Sequence, residues 1–447
     1  MGSETTNASA LGLTIGALLV VMCFLVPRRY LVVPLVIAAC WLTLGQRFVV
    51  SGVNLTLFRI VIAAALVRMI VSGEFRTLTW KPIDRIVTAW LVSRVVCFVL
   101  LYRTGDALVN RLGFTFDAVG MYFTFRSQIQ SLRDVTRIGR IVSLIILPLA
   151  IVMFIESTTG RNYFSVLGGV PSLSFRREGW IRCQGPFPHP ILAGTFGAVW
   201  LPLFVGLWWQ KSQRVYAVLG SVASVLIILT AHSSGPIATA VVVLIGFVMW
   251  PMRKRMRLLT FLALATMVAL QLLMTRPIWF IFARLNVLSG STGWHRAHVI
   301  DQAIRHLPEW ALVGTKNPAR WGIHAGDITN QYLSEGLRGG LLTMVLFIAT
   351  VRMAFSLIAA TMTLETARTR HSFILVWALG VTLAAHATTF FSVAYFSPQS
   401  MMNWYLTLAF AVAVNSSRSH ARVGRLARTQ GAGVGSRGAG MEDHAST

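Results

Sequence analysis

The sequence predicts an all-α fold, a polytopic integral membrane protein of about 12 transmembrane helices. Three observations predict it. Of 447 residues, 55% are hydrophobic and only 12% are charged, where a soluble domain carries roughly 25% charged residues. Mean hydropathy is +0.66. Apolar runs of roughly 17–25 residues, enough to cross a bilayer, recur along most of the chain. Together they exclude a disordered chain, a secreted disulfide scaffold and an ordinary soluble enzyme.

The runs can be taken in order. The first, 11–26, follows a start with no basic segment, so it reads as a retained span and not a cleavable signal peptide. Runs at 31–45, 56–72 and 86–102 follow. Residues 106–125 form a weaker run, interrupted by Asp117. Then come 138–156, 190–209, 215–231, 235–250 and 257–274, and finally 336–360, 372–388 and 401–415. This divides the chain into N-terminal helices (1–137), a second transmembrane region carrying the long loops (138–415) and a tail (416–447). The tail is rich in Gly, Ser, Ala and Arg and reads as disordered.

Charge is distributed unevenly. Forty basic residues face 15 acidic ones, for a net +25. Only Lys81, Lys211, Lys254 and Lys316 are lysine; the rest are arginine. In a soluble chain this would point to nucleic acid, but here most of the chain lies in lipid. Basic short loops at 27–30, 74–85, 126–140, 210–214, 251–257 and 361–370, and the tail, share one side if 106–125 crosses or dips as a hairpin partner. The positive-inside rule makes that side cytoplasmic. Two long polar loops, 157–189 and 275–335, then lie on the outer face, and they too hold more basic than acidic residues. Arginine there runs against the topology rule. It points to an anionic ligand, since a guanidinium fork matches phosphate oxygens; the plainer alternative is arginine on a solvated surface. Cys23, Cys40 and Cys97 sit in apolar runs and Cys183 alone in a polar loop, so no disulfide or cysteine-based metal framework is predicted.

Three segments carry the chemistry. Residues 179–199 read GWIRCQGPFPHPILAGTFGAV. Pro190 keeps His189 extended and suits the first turn of the next helix. Arg182 and His189 then sit at that helix's N-terminal mouth, where the dipole favours anions. Residues 293–306 read GWHRAHVIDQAIRH, with His295 and His298, and His298 and Asp301, three positions apart. No HExxH or Asp-rich pattern accompanies them, so neither metal nor cofactor is predicted. Arg296 shares a helical face with Ile300 and Ala303, which directs it toward packed structure, where it needs an anion. Residues 321–340 read WGIHAGDITNQYLSEGLRGG and gather Trp321, His324, Asp327, Asn330, Tyr332 and Glu335. Asp327 or Thr329 can cap a helix, while His324 and Asp327 have the chemistry of a general base. Trp180, Trp294, Trp310 and Trp321 suit sugar rings, or anchor the chain at the membrane surface.

With the pieces RCQGPFPHPILAGTFGA (182–198), STGWHRAHVIDQAI (291–304) and DITNQYLSEGLRGGLL (327–342), the chain resembles the O-antigen ligase and O-antigen polymerase superfamily over roughly residues 140–390. Arg296 falls on the arginine of that family's Ser/Gly-x-Arg helix. The third piece is similar to its His-Asn-x-x-Leu…Glu-x-Gly-x-x-Gly motif. Two positions depart from the pattern. Thr329, not histidine, precedes Asn330, and 232–236 read HSSGP where members often show Ser-Arg-Gly. The resemblance implies a membrane-embedded glycosyltransferase at the periplasmic face of a bacterial inner membrane, with the C-terminus cytoplasmic. Its donor is a polyprenyl-pyrophosphate-linked oligosaccharide. It polymerises repeat units into exopolysaccharide or O-antigen, or, as the alternative, ligates glycan to lipid A-core. Arg182 and Arg296 would neutralise the pyrophosphate, with His324 or Asp327 as base. His189, His295, Asn330, Tyr332, Glu335 and Trp321 would contact substrate. Membrane lipid and a chain-length regulator protein are the implied partners, with no nucleic acid. A reading of another class is a flippase or transporter of lipid-linked oligosaccharide. Against it, Asp117 is the only acid well inside a run, with Asp84, Asp106, Glu156 and Glu335 at run edges, whereas ion-coupled transporters hold acids at the midplane.

Overall fold

The computed structural model describes residues 8–50, 53–281, 293–323, 325–363 and 370–435. It is mostly helical. Among the described residues, seven helical stretches are long and apolar enough to cross a membrane: Pro82–Tyr102, Leu132–Thr159, Pro190–Leu207, Lys211–Thr230, Trp250–Leu273, Gln331–Met362 and Ser372–Thr389. Two shorter apolar helices are α1 (Ala10–Leu25) and Ser234–Val248. The other expected runs fall short for visible reasons. α2 (Val32–Trp41) stops where the chain turns into an antiparallel hairpin, β1 (Arg47–Val50) with β2 (Val53–Thr56), leading into α3 (Leu57–Val71).

After α4 (Pro82–Tyr102), the weak run at 106–125 is a full helix, α5 (Gly105–Gln128). Its Asp117 is buried and held by both nitrogens of an Arg59 fork, at 2.8 and 2.7 Å. Asp84 and Glu335 lie near the starts of their helices, as expected, and are buried there as well. Asp84 is fully buried against Arg126 at 2.8 Å, and Glu335 is buried against Arg94 at 3.2 Å. A carboxylate in a low-dielectric interior needs its charge met, and each of these meets one.

α6 (Leu132–Thr159) ends at the loop 160–189, which is not purely irregular. It contains the hairpin β3 (Phe175–Arg177) and β4 (Trp180–Arg182), turned by Glu178 and Gly179 at φ 52° and 82°. A two-residue turn with both φ positive is the type that matches strand twist. The core centres on α7 (Pro190–Leu207), which packs against α8 (Arg214–Thr230), α9 (Ser234–Val248) and α14 (Arg370–Thr389). Small residues allow this approach. A Cβ on Gly197 would lie 2.8 Å from the Ser224 carbonyl oxygen. In contrast, α10 (Met256–Leu273) is apolar all round yet buries no residue, the pattern of a helix facing lipid.

The largest departure from expectation is α13 (Gln331–Met362), preceded by α11 (Gly293–Arg305) and α12 (Leu307–Trp310). It breaks at Gly340, whose φ of 75° and ψ of 174° are open only to glycine. The Tyr332 ring lies 5.7 Å from the Phe347 ring, though a straight helix would hold the two residues about 22 Å apart. Residues 331–339 therefore fold back against 341–362. The loop after α12 fills the bend: Leu341 N–H donates to the Ala311 carbonyl at 2.7 Å, and Thr315 N–H to that of Leu337 at 2.8 Å. Trp310, Trp321, Ala325 and Leu337 form a small core beside it. The chain thus runs extended through 325–330, turns at Asn330 and continues as a half-helix. The last helix, α15 (Pro398–Gly435), stays helical into the arginine-rich stretch that composition predicted to be irregular.

Candidate functional site

Glu156 organises the site from below. It is fully buried at the end of α6 and accepts hydrogen bonds from Ser174 Oγ (2.8 Å), Gln184 N–H (3.1 Å) and Gly185 N–H (3.0 Å). Asn162 adds a bond to the Gly185 carbonyl at 2.8 Å, and Cys183 N–H donates to the Thr230 carbonyl at 3.0 Å. These contacts fix the strand that carries Arg182 against the α8–α9 corner.

Above them opens a cavity of about 550 Å³, lined by Arg182, His189, His232, Ser233, Arg296 and Asp327 among others. Arg182 is only 7% exposed. Its Nη2 donates to Ser233 Oγ at 3.3 Å and its Nε is enclosed without a partner. Arg296, half-buried on α11, likewise has an enclosed Nε with no hydrogen-bond partner. Among the described residues no carboxylate pairs with either guanidinium. Burial lowers the pKa of both, and Arg177 adds repulsion at Arg182. The N-terminal ends of α7 (His189, Ile191) and α9 (Ser233, Ser234) reach the same cavity. A Cβ on Gly235, in the first turn of α9, would lie 3.8 Å from Arg296 Nη2. Two unpaired guanidinium groups and two helix N-termini make a site for an anion.

Asp327 supplies an acceptor at the rim. Its side chain is 75% exposed, with His295 Nε2 3.5 Å from its carboxylate and 3.1 Å from its backbone oxygen. His189 is the N-cap of α7: its Nδ1 accepts Ile191 N–H at 3.1 Å. That leaves Nε2 carrying the proton, so His189 can donate a bond into the cavity but is not free to act as a base. Its pKa is lowered, first by burial and then by Arg182, with Asp327 opposing.

Other predicted positions lie elsewhere. Asn330 caps the half-helix through Leu333 N–H at 3.1 Å. Tyr332 packs on Phe347, Phe390 and Phe391 and donates to the Ala387 carbonyl at 3.1 Å. Glu335 faces α4, with Trp90 Nε1 at 3.0 Å. Trp321 is a loop strut: it stacks on His306 at 4.9 Å and donates to Glu309 at 3.0 Å. Contacts from Trp321 and His306, with Arg320, hold the Glu309 carboxyl down to about 2. None of these four lines the cavity. For Tyr332 and Glu335 the reason is the fold-back, which turns the half-helix toward α4 and the aromatic core; Asn330 is that half-helix's cap and Trp321 belongs to the turn 318–321. His324 lies outside the described residues.

Trp180, one of the tryptophans expected to suit a sugar ring, lies on the cavity wall, and sequence reasoning missed only its partner His232, whose ring stacks on it at 5.0 Å and 17°. Ser233, Thr329 and Ser392 were also missed as lining residues. For His232 and Ser233 the signal was the HSSGP stretch at 232–236, noted for departing from a pattern. No protein-family model matches this chain, and no curated protein matches it either.

Proposed function

We propose that the chain polymerises polyprenyl-pyrophosphate-linked oligosaccharide repeat units into exopolysaccharide or O-antigen, at the periplasmic face of a bacterial inner membrane. The observation that carries this reading is the pair Arg182 and Arg296, buried or half-buried on one cavity wall without carboxylate partners. A cavity of about 550 Å³ lies within the usual span of ligand sites, and the Trp180–His232 stack gives it an aromatic face for a sugar.

In this reading the acceptor hydroxyl attacks the donor's anomeric carbon and the pyrophosphate leaves with the bonding electron pair. Arg182 and Arg296 meet the charge that grows on the leaving oxygen, which costs no reorganisation because both groups are already held in place. Asp327, positioned by His295, accepts the hydroxyl proton. His189 donates from Nε2 to a phosphate oxygen. Transfer of this kind needs no metal. Ligation to lipid A-core would use the same wall with another acceptor.

The test is polymer formation in proteoliposomes from a lipid-linked donor. Arg182→Ala and Arg296→Ala should each lower the rate at least about tenfold, the loss of one charge-assisted contact. Unchanged polymer length and yield in both would overturn the reading. One observation favours a second reading, transfer of the lipid-linked oligosaccharide across the bilayer: the buried ion pairs of Asp84, Asp117 and Glu335 inside the helical bundle. Translocation of a fluorescent lipid-linked saccharide without new glycosidic bonds would favour it.

A further inference from the structure

A second group of arginines lies within the helical bundle, apart from the cavity. Arg94 on α4, Arg111 on α5 and Arg338 on the half-helix line one cleft with Asp117 and Glu335. Arg94 lies midway along a helix long and apolar enough to cross a membrane. Charge there is costly and demands a partner.

The two carboxylates do not supply enough of it. Asp117 is taken by the Arg59 fork at 2.8 and 2.7 Å. Glu335 is taken by Arg94 at 3.2 Å, Trp90 Nε1 at 3.0 Å and Gln331 Nε2 at 2.7 Å. Arg111 is only 7% exposed, lies over the Phe98 ring at 3.6 Å, and has an enclosed Nε with no hydrogen-bond partner. Arg338 is exposed at the cleft's edge, and among the described residues no carboxylate pairs with it. Two positive charges are therefore left over. Ser397 and Pro398, at the start of α15, line the same cleft and turn a helix N-terminus toward it.

The cleft holds about 40 Å³, a few times the roughly 10–15 Å³ that one water needs. That suits a phosphoryl-sized group and excludes a sugar. We propose that this cleft binds a phosphate or pyrophosphate group, lipid-borne or free, gripped by Arg111 inside and Arg338 at the opening. The proposal rests on the chain lying in a membrane and not on the transferase reading.

The experiment uses the full chain in phosphatidylcholine nanodiscs with two probes, phosphatidic acid as the lipid arm and inorganic pyrophosphate as the free arm. Retention of each is read by native mass spectrometry. Arg111→Gln and Arg338→Gln should each cut retention about tenfold, while Arg338→Lys stays within about threefold. All retention is compared in an Arg182→Ala/Arg296→Ala background, so that pyrophosphate held in the cavity does not enter the reading. Loss confined to phosphatidic acid identifies a lipid source, and loss confined to pyrophosphate a free one. Because Arg338 is exposed, its Gln variant tests the idea even if Arg111→Gln fails to fold. Equal retention of both probes by that background and by the same background carrying Arg338→Gln overturns the proposal.

Discussion

Arg182 donates to Ser233 Oγ at 3.3 Å, from β4 to the N-cap of α9, and among the described residues this is the guanidinium's only hydrogen bond. The remaining N–H groups are available to a ligand. Ser233→Ala should therefore change transfer rates by no more than about threefold, since one neutral bond contributes roughly 1 kcal/mol. Arg182→Lys should cost at least about tenfold, because an ammonium cannot hold the serine and fork a phosphate together. Initial rates on a lipid-linked donor check both; a lysine variant with wild-type rate would deny Arg182 its forked role.

Glu156→Gln should destabilise the protein by about 2 kcal/mol or more. The amide would turn an N–H₂ toward groups that are themselves donors, at Ser174, Gln184 or Gly185, in a fully buried place. Thermal unfolding in detergent measures it. Transfer should fall as well, because the strand holding Arg182 loses its anchor.

Gly340→Ala should sharply reduce folded yield. The φ of 75° is strained for alanine, at a cost of order 1–3 kcal/mol, and the new Cβ would collide with the Leu312 carbonyl. Size-exclusion profiles of the detergent-solubilised variant check this; a monodisperse, wild-type peak would refute it.

The lowered pKa of His189 has a signed consequence. With the folded value below the ordinary 6.5, protonation favours the unfolded chain. The stabilising contribution is complete above about pH 6.5 and is lost as pH falls through the folded value. Thermal stability should be flat from about pH 8 to 6.5 and decline below. His189→Asn keeps a cap acceptor and should remove part of that decline. An identical pH profile in the variant would show that His189 does not contribute.

Transfer activity should persist in excess chelator, since arginine supplies the positive charge. Loss of activity restored by a divalent ion would overturn the metal-free mechanism.

Where one helix and its cap decide an outcome, the sequence was enough. Pro190 and His189 announced the start of α7, and the structure places both there with Arg182 nearby. Arg296 was expected on a packed face, and Ala303 on the same face is fully buried. What stayed hidden depended on distant contacts. The Trp180–His232 stack joins two loops that no local periodicity connects. The Gly340 bend hides inside an uninterrupted apolar run, because glycine is tolerated in membrane helices and its φ is invisible to hydropathy. Tyr332 and Glu335 were misassigned for that reason: on a straight helix they would sit at the membrane surface, but on a folded-back one they face the interior.

The fold-back at Gly340 also changes how the chain must be counted. Residues 331–339 double back beside 341–362, so the 32 residues Gln331–Met362 are two pieces side by side and not one straight rod. The half-helix also cannot be threaded into lipid alone, because its capped N-terminus and Glu335 would meet hydrocarbon. Its polar face is met by α4, whose Trp90 and Arg94 both reach Glu335, so an early helix supplies the partners that a much later segment needs.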